Sequence, residues 1–191
     1  MIFQIPGRFW LMVGLGLATG LIAAAIAFVV SSALPKVWEA QAVVFVGSVT
    51  ETNPVVLDAN QALANKYAGL ATTATVLEPA IRALGLDENV AQLSEHVTVR
   101  SPEGLSSIDI LVSSSTDVGA RDLANAIAEE IVLLATPPDA PTSLAWIADP
   151  AQLPDGPSSP RILLNTLLGG VLGFVLGMSI GWLFGTRPSE I

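Results

Sequence analysis

The chain has 191 residues, of which 51% are hydrophobic and 13% are charged, and its mean hydropathy is +0.62. Soluble domains carry about 25% charged residues, so this composition is typical of a membrane protein. The net charge is −9 with only 8 basic residues, which argues against a nucleic-acid partner because such a partner requires a basic surface. The sequence contains no cysteine, which excludes disulfides and thiol chemistry.

The first charge-free segment runs from Phe9 to Leu34 and is bracketed by two basic residues. A helix of this length, at about 1.5 Å per residue, exceeds the roughly 30 Å hydrocarbon core of a bilayer. The segment is also longer than a signal-peptide core, so residues 9–34 are predicted to be an uncleaved transmembrane helix after a cytoplasmic N-terminus, residues 1–8. Small residues near the end of the segment leave signal-peptide cleavage open as the alternative.

Residues 36–149 are predicted to form a separate α/β domain. Strand patterns cover residues 38–47, 96–100, 107–113 and 143–147, and helix patterns cover 55–70, 75–84 and 117–135, with one or two helical turns within 87–94. The two middle strands are predicted to form a β-hairpin with a long turn. Few parallel crossovers fit this order, so we expect a mostly antiparallel sheet with helices on one face.

Several helix ends carry capping signals. Thr75 followed three residues later by Glu78 predicts a capping box at the start of the second helix. Gly85 is predicted to end that helix in the left-handed conformation. Thr116 or Asp117 is predicted to cap the third helix, and two consecutive prolines, 137 and 138, are predicted to stop it.

The last third of the chain returns to apolar sequence. A proline-rich linker, residues 150–161, leads into a charge-free segment, residues 162–185, and then into a short tail, residues 186–191. Glycine recurs at every fourth position of this segment: Gly169, Gly173, Gly177, Gly181 and Gly185. A four-residue period leaves these glycines on one helix face, where two helix backbones can approach closely in lipid. The first segment offers a matching surface at Gly16, Gly20 and Ala24. We therefore predict two transmembrane helices packed as a hairpin, with both termini in the cytoplasm and the middle domain outside it.

No catalytic constellation is evident, and neither a cofactor nor a metal is expected. His96 is the sole histidine, and the adjacent acidic pairs 87–88 and 129–130 point in different directions on a helix, so they suit solvated surfaces better than acid–base catalysis. Arg82, Arg100 and Arg121 could contact an anionic glycan or a neighbouring subunit, although salt bridges to the abundant acids are the more economical interpretation. No glycine-rich phosphate loop with Lys-Ser/Thr is present, so a fused kinase is excluded.

Certain residues carry a resemblance to a known family. They are Trp38, Glu39 and Ala40 after the first span, Pro157, Ser159, Pro160 and Arg161 before the second, and Gly173 with Gly177 within it. Eleven residues separate Arg161 from Gly173. In this order the chain resembles the Wzz-type chain-length determinants, also called polysaccharide co-polymerases, and in particular the short membrane modulators of capsule tyrosine kinases. Trp38 and Arg161 stand where that family more often has tyrosine and lysine.

The resemblance implies a non-catalytic homo-oligomer in the cytoplasmic (inner) membrane that regulates the chain length, polymerisation or export of a capsule or exopolysaccharide. It also implies a lipid-linked glycan, a polymerase or a separate tyrosine kinase as partners. The tail of six residues departs from the longer tail with which modulators engage a kinase. An accessory subunit of a larger membrane complex and a two-span pore-forming protein stay open as alternatives.

Overall fold

A computed structural model describes residues 7–48, 52–136 and 144–185. The chain divides into two compact units, one within residues 1–35 and 159–191, the other from Lys36 to Ser158. The elements in chain order are α1 (Gly7–Ala33), β1 (Trp38–Val46), α2 (Pro54–Leu70), α3 (Ala74–Leu84), α4 (Val90–Glu95), β2 (Val97–Arg100), β3 (Ser107–Ser114), α5 (Asp117–Ala135), β4 (Ala145–Asp149) and α6 (Ile162–Gly185). We call the first unit the helix hairpin and the second the α/β unit.

The helix hairpin consists of α1 and α6. With 27 and 24 residues, these helices are about 40 and 36 Å long at 1.5 Å per residue. Both are long and apolar enough to cross a membrane, over Phe9–Ala33 and Ile162–Phe184. Large apolar side chains such as Leu21, Leu163 and Leu172 are more than half exposed on their outer surfaces, the arrangement expected of helices that face lipid.

The α/β unit contains a four-stranded sheet in the order β2-β3-β1-β4, and every neighbouring pair is antiparallel. The predicted mixture of helices with an antiparallel sheet is therefore confirmed, as is the β2–β3 hairpin. β4 extends to Asp149, two residues beyond the predicted end, and residue 143 lies outside the described residues. The pairing of β4 with β1 shifts register between Val43 and Val44, where β4 ends.

One face of the sheet forms the core. Along β1, Ala40, Ala42, Val44 and Val46 are buried while the residues between them are not, the period-two alternation of a half-buried strand. The face shares one core with buried side chains of α2, α3, α4 and α5, including Ile127 of α5. Each large aliphatic side chain buried in this way stabilises the fold by about 1.5–3 kcal/mol.

The opposite face of the sheet is open. We call it the outer sheet face and define it by the residues that alternate with the core positions: Glu39, Gln41, Val43 and Phe45 of β1, Thr98 and Arg100 of β2, Asp109, Leu111 and Ser113 of β3, and Trp146 and Asp149 of β4. All of these side chains are exposed or half-buried. The sheet therefore has one apolar face packed under helices and one mixed face, as antiparallel sheets commonly do.

The predicted start of α3 is wrong by two residues. The N-cap is Thr73, and Thr75 lies inside the first turn. The reason is the tight connection from α2, in which the Thr73 hydroxyl donates to the carbonyl of Leu70 at 2.6 Å and the chain re-enters a helix at once. Glu78 makes no capping box and instead lies 3.7 Å from Arg82, one turn further along the helix.

The other helix ends agree better with expectation. Gly85 has a φ of +62° and ends α3 in the left-handed conformation, as predicted. Thr116 caps α5 by accepting a hydrogen bond from the backbone N–H of Gly119 at 3.0 Å. The short α4 begins with a capping box of Asn89 and Gln92 that the sequence analysis missed. The two prolines expected to stop α5 lie outside the described residues, and the helix ends at Ala135.

Candidate functional site

The glycines of α6 lie against α1 with almost no space between the two backbones. A Cβ atom built on Gly173 would lie 2.5 Å from the Cβ of Ala23 and 2.7 Å from the carbonyl oxygen of Thr19. One built on Gly169 would lie 2.7 Å from the Cβ of Ala27. Since ordinary carbon contacts are about 3.5–4.0 Å, neither position has room for a side chain at this helix separation.

The remaining glycines of the period behave in a graded way. At Gly177 a Cβ would overlap the Thr19 hydroxyl and lie 2.8 Å from the carbonyl oxygen of Leu15. At Gly181 the nearest atom is the Cα of Met12 at 3.2 Å. Gly185 is the last residue of α6, and its surroundings are outside what the structure describes.

The α1 side of this interface is also formed by small residues. A Cβ at Gly20 would lie 3.0 Å from the carbonyl oxygen of Gly170, and one at Gly16 would lie 2.9 Å from the Cγ of Met178. Ala24 faces Gly170, with 3.4 Å between its Cβ and a Cβ built on that glycine. Gly14, by contrast, has no atom within 4 Å and belongs to the outer surface of α1.

A hydroxyl joins the two helices in the middle of the interface. The side chain of Thr19 donates to the carbonyl oxygen of Gly173 at 2.8 Å, and the same oxygen atom lies 2.9 Å from the carbonyl oxygen of Leu15 in its own helix. A hydrogen bond between helices in an apolar medium is worth about 0.6 to 2 kcal/mol. Sequence reasoning missed this residue. Its signal was a threonine one position before Gly20, inside the small-residue stripe.

A second polar contact joins the helices near the start of α6. The Nδ2 group of Asn165 donates to the hydroxyl oxygen of Ser31 at 2.8 Å, and Ser31 is only 4% exposed. The neighbouring hydroxyl of Thr166 is buried and has no hydrogen-bond partner among the described residues. The hairpin therefore combines a close backbone contact with two polar links that fix the register of one helix against the other.

The residues that carry the family resemblance lie in three places. Trp38, Glu39 and Ala40 open β1, where Ala40 is buried, Trp38 packs against the core and Glu39 is exposed on the outer sheet face. Pro157, Ser159, Pro160 and Arg161 occupy the segment between β4 and α6, and the carbonyl oxygen of Arg161 accepts the first helical hydrogen bond from the N–H of Asn165 at 2.9 Å. The backbone N–H and the hydroxyl of Ser158 both donate to the carbonyl oxygen of Val37, at 2.9 and 3.1 Å. Within the α/β unit, the residues that border the two parts of the motif are thus direct neighbours.

The return linker is fixed at a second point. The side chain of Asn125 on α5 donates to the carbonyl oxygen of Ala151 at 3.0 Å and accepts from its N–H at 2.8 Å. This paired contact satisfies both backbone groups of a residue that is 5% exposed, just after β4 has separated from β1. Asn125 therefore takes the place of a partner strand.

The charged residues considered as catalytic or binding candidates are spread over the α/β unit. Arg82 and Arg121 lie beside the acids Glu78 and Asp122, at 3.7 and 2.6 Å. Arg100 occupies the register position opposite Asp109 on the outer sheet face. His96 lies between α4 and β2, and its carbonyl oxygen accepts from Ser113.

The acidic pairs Asp87–Glu88 and Glu129–Glu130 are exposed or half-buried. Across residues 7–48, 52–136 and 144–185, no three His, Asp or Glu side chains come together in a way that could hold a metal ion.

Together, the fold and the interface define a chain with two helices able to span a membrane, packed through glycine, and an intervening α/β unit. A comparison with protein-family models and a search of curated proteins both return no match.

Proposed function

We propose that the protein is a non-catalytic, oligomeric membrane scaffold of the Wzz type, which regulates the chain length, polymerisation or export of a cell-surface polysaccharide. One observation carries the proposal. The two parts of the family motif are 117 residues apart along the chain, from Ala40 to Pro157, yet Val37 and Ser158 beside them are joined by hydrogen bonds. A motif whose distant parts are structural neighbours is more informative than a chance match to each part alone.

The proposed location is the cytoplasmic membrane, with both termini in the cytoplasm and residues 36–161 outside it. The apolar outer surfaces of α1 and α6 support insertion into lipid. The residues between the helices include six basic and sixteen acidic ones. Such a segment lacks the excess of Lys and Arg that marks cytoplasmic loops.

The proposed role is that of a scaffold, and its partners are further copies of the chain, the lipid membrane and a lipid-linked glycan, with a polymerase or a separate tyrosine kinase as additional candidates. Support comes from the distribution of ionisable side chains, since the acids and arginines of the α/β unit are mostly solvated or paired with each other. A catalytic centre normally gathers such groups in a cleft.

The membrane topology can be tested directly because the chain has no native cysteine. Val118 and Leu133, both exposed on α5, offer positions for single substitutions Val118→Cys and Leu133→Cys. A membrane-impermeant maleimide should label both variants in intact cells from outside the cytoplasmic membrane. Labelling only after that membrane is opened would contradict the proposed topology.

The function is tested by deleting the gene and measuring the length distribution of surface polysaccharide on a gel. We expect a shifted distribution that the intact gene restores. Arg161→Glu, placed just before α6, should fail to restore it at equal protein level, because an anionic side chain there would face the phosphates of lipid headgroups. Arg82→Glu is the matched control on the surface of α3. An unchanged distribution on deletion would refute the proposal and favour an accessory subunit of another membrane complex.

A further inference from the structure

The outer sheet face has a defined arrangement of aromatic and polar side chains. Adjacent strands lie about 4.8 Å apart, and successive residues on one face of a strand are about 6.6 Å apart. The register therefore gives rows across the sheet. One row contains Arg100, Asp109, Val43 and Asp149, and it crosses all four strands over about 14 Å.

The next row contains an aromatic pair. Phe45 and Trp146 are opposite each other on β1 and β4, with ring centroids 5.8 Å apart and planes inclined by 46°. Trp146 is 41% exposed, which is unusual for the largest apolar side chain unless it serves a contact. The aromatic pair thus lies one row, about 6.6 Å, from the carboxylates of Asp109 and Asp149.

These two rows combine the groups that bind sugars. The face of an indole ring carries partial negative charge, and the C–H groups on one side of a pyranose ring, polarised by the ring oxygens, carry partial positive charge. Carboxylates and carboxamides, here Asp109, Asp149 and Gln41, accept hydrogen bonds from several hydroxyls at once. The face has few aliphatic side chains, which distinguishes it from the apolar centre of a protein–protein interface.

The charge of the face narrows the choice of ligand. Three acids, Glu39, Asp109 and Asp149, stand against one base, Arg100, and the whole α/β unit is acidic. A polymer with a carboxylate or phosphate in each repeat would be repelled at every contact. An uncharged polymer meets no such penalty and can use the same carboxylates as hydrogen-bond acceptors.

We propose that the outer sheet face binds an uncharged stretch of glycan, with Trp146 as the stacking platform and Asp109 and Asp149 as acceptors for sugar hydroxyls. This inference deepens the proposed function and rests on it for the biological source of the glycan. The binding site itself is defined by the side chains of β1, β2, β3 and β4.

The test uses the full-length chain in nanodiscs, with binding followed by calorimetry. The probes are malto-, cello- and N-acetylated chito-oligosaccharides, which are uncharged, and an oligogalacturonate of equal length. At least one uncharged series should bind, and the oligogalacturonate should bind at least tenfold more weakly. Trp146→Ala should weaken the binding by about tenfold, whereas Trp146→Tyr should retain most of it. Leu133→Ala, an exposed apolar truncation on α5, is the matched control and should leave the affinity unchanged.

Replacing both acceptors, in Asp109→Asn with Asp149→Asn, should narrow the difference between uncharged and anionic probes. The inference is overturned if no uncharged probe binds, if the oligogalacturonate binds most tightly, or if Trp146→Ala has no effect in a variant with unchanged circular dichroism. A change in the mass of the particle on Trp146→Ala would also overturn it, because a second copy of the chain would then cover the face.

Failure of this inference is distinguishable from failure of the proposed function. If deletion of the gene shifts polymer length but no oligosaccharide binds, only the inference fails. If Trp146-dependent binding is observed but deletion leaves the polymer unchanged, the glycan site stands and the scaffold proposal fails.

Discussion

Replacing Gly173 by alanine should separate the two helices of the hairpin. The added Cβ would lie 2.5 Å from the Cβ of Ala23, about 1 Å closer than an ordinary contact. The obstruction is rigid, because the neighbouring atoms are a Cβ and the backbone of Thr19 rather than the end of a flexible side chain. Overpacking of this kind costs about 1–3 kcal/mol.

A second loss accompanies the steric one. If α6 moves away by about 1 Å, the 2.8 Å hydrogen bond from Thr19 to the carbonyl oxygen of Gly173 stretches beyond hydrogen-bonding range. That bond contributes about 0.6 kcal/mol or somewhat more. The total of about 2–3 kcal/mol corresponds to a change of about 30- to 150-fold in the equilibrium between packed and separated helices.

The assay is disulfide crosslinking between cysteines placed at Ala24 and Gly170, whose Cβ positions are 3.4 Å apart. This separation is close to that of natural disulfides, and no native cysteine competes. The matched control is Gly14→Ala, which makes the same chemical change on a helix surface where no atom lies within 4 Å. Crosslinking should be strongly reduced by Gly173→Ala and unaffected by the control.

The glycines also provide a graded series. Alanine at Gly181 should have a smaller effect than alanine at Gly169 or Gly173, since the nearest atoms lie at 3.2, 2.7 and 2.5 Å respectively. If all four substitutions, including Gly14→Ala, gave the same crosslinking yield, the reasoning from close backbone contact would be refuted.

Three further predictions concern single side chains. Thr19→Val, which keeps the shape but removes the hydroxyl, should destabilise the hairpin by about 0.5–1.5 kcal/mol in detergent unfolding, and Thr19→Ser should not. Asn125→Ala should destabilise the α/β unit by about 1–3 kcal/mol and speed amide exchange at Ala151, whose two backbone groups would lose their partner; unchanged exchange would contradict this. Thr116→Ala should cost about 1 kcal/mol through loss of the α5 cap, measured by chemical denaturation, and Thr116→Asp should restore most of it.

The sequence was most informative where a structural signal is local and periodic. Uninterrupted apolar length indicated α1 and α6, and alternation indicated β1 and β3, because each pattern depends only on the geometry of one element. The choice of Thr75 as a cap was wrong for the same reason. A Ser/Thr-x-x-Glu pattern identifies a possible cap but cannot tell it from a nearby threonine that the preceding turn places better.

The contacts that join distant segments could not be predicted in this way. The bond from Thr19 to Gly173 depends on how far one helix is shifted along the other, across 154 residues of sequence. The row from Arg100 to Asp149 depends on a strand order in which β1 lies between β3 and β4. Register between elements is set by packing, which a single sequence does not display.

The double hydrogen bond between Ser158 and Val37 has a consequence for protein engineering. Both ends of the α/β unit meet at one carbonyl oxygen, so the unit enters and leaves at nearly the same point. Segments with adjoining ends are the ones that tolerate being inserted into a loop of an unrelated host. Residues 36–158 should therefore behave as a cassette that can be grafted into a surface turn of a soluble carrier protein, which would free it from lipid altogether.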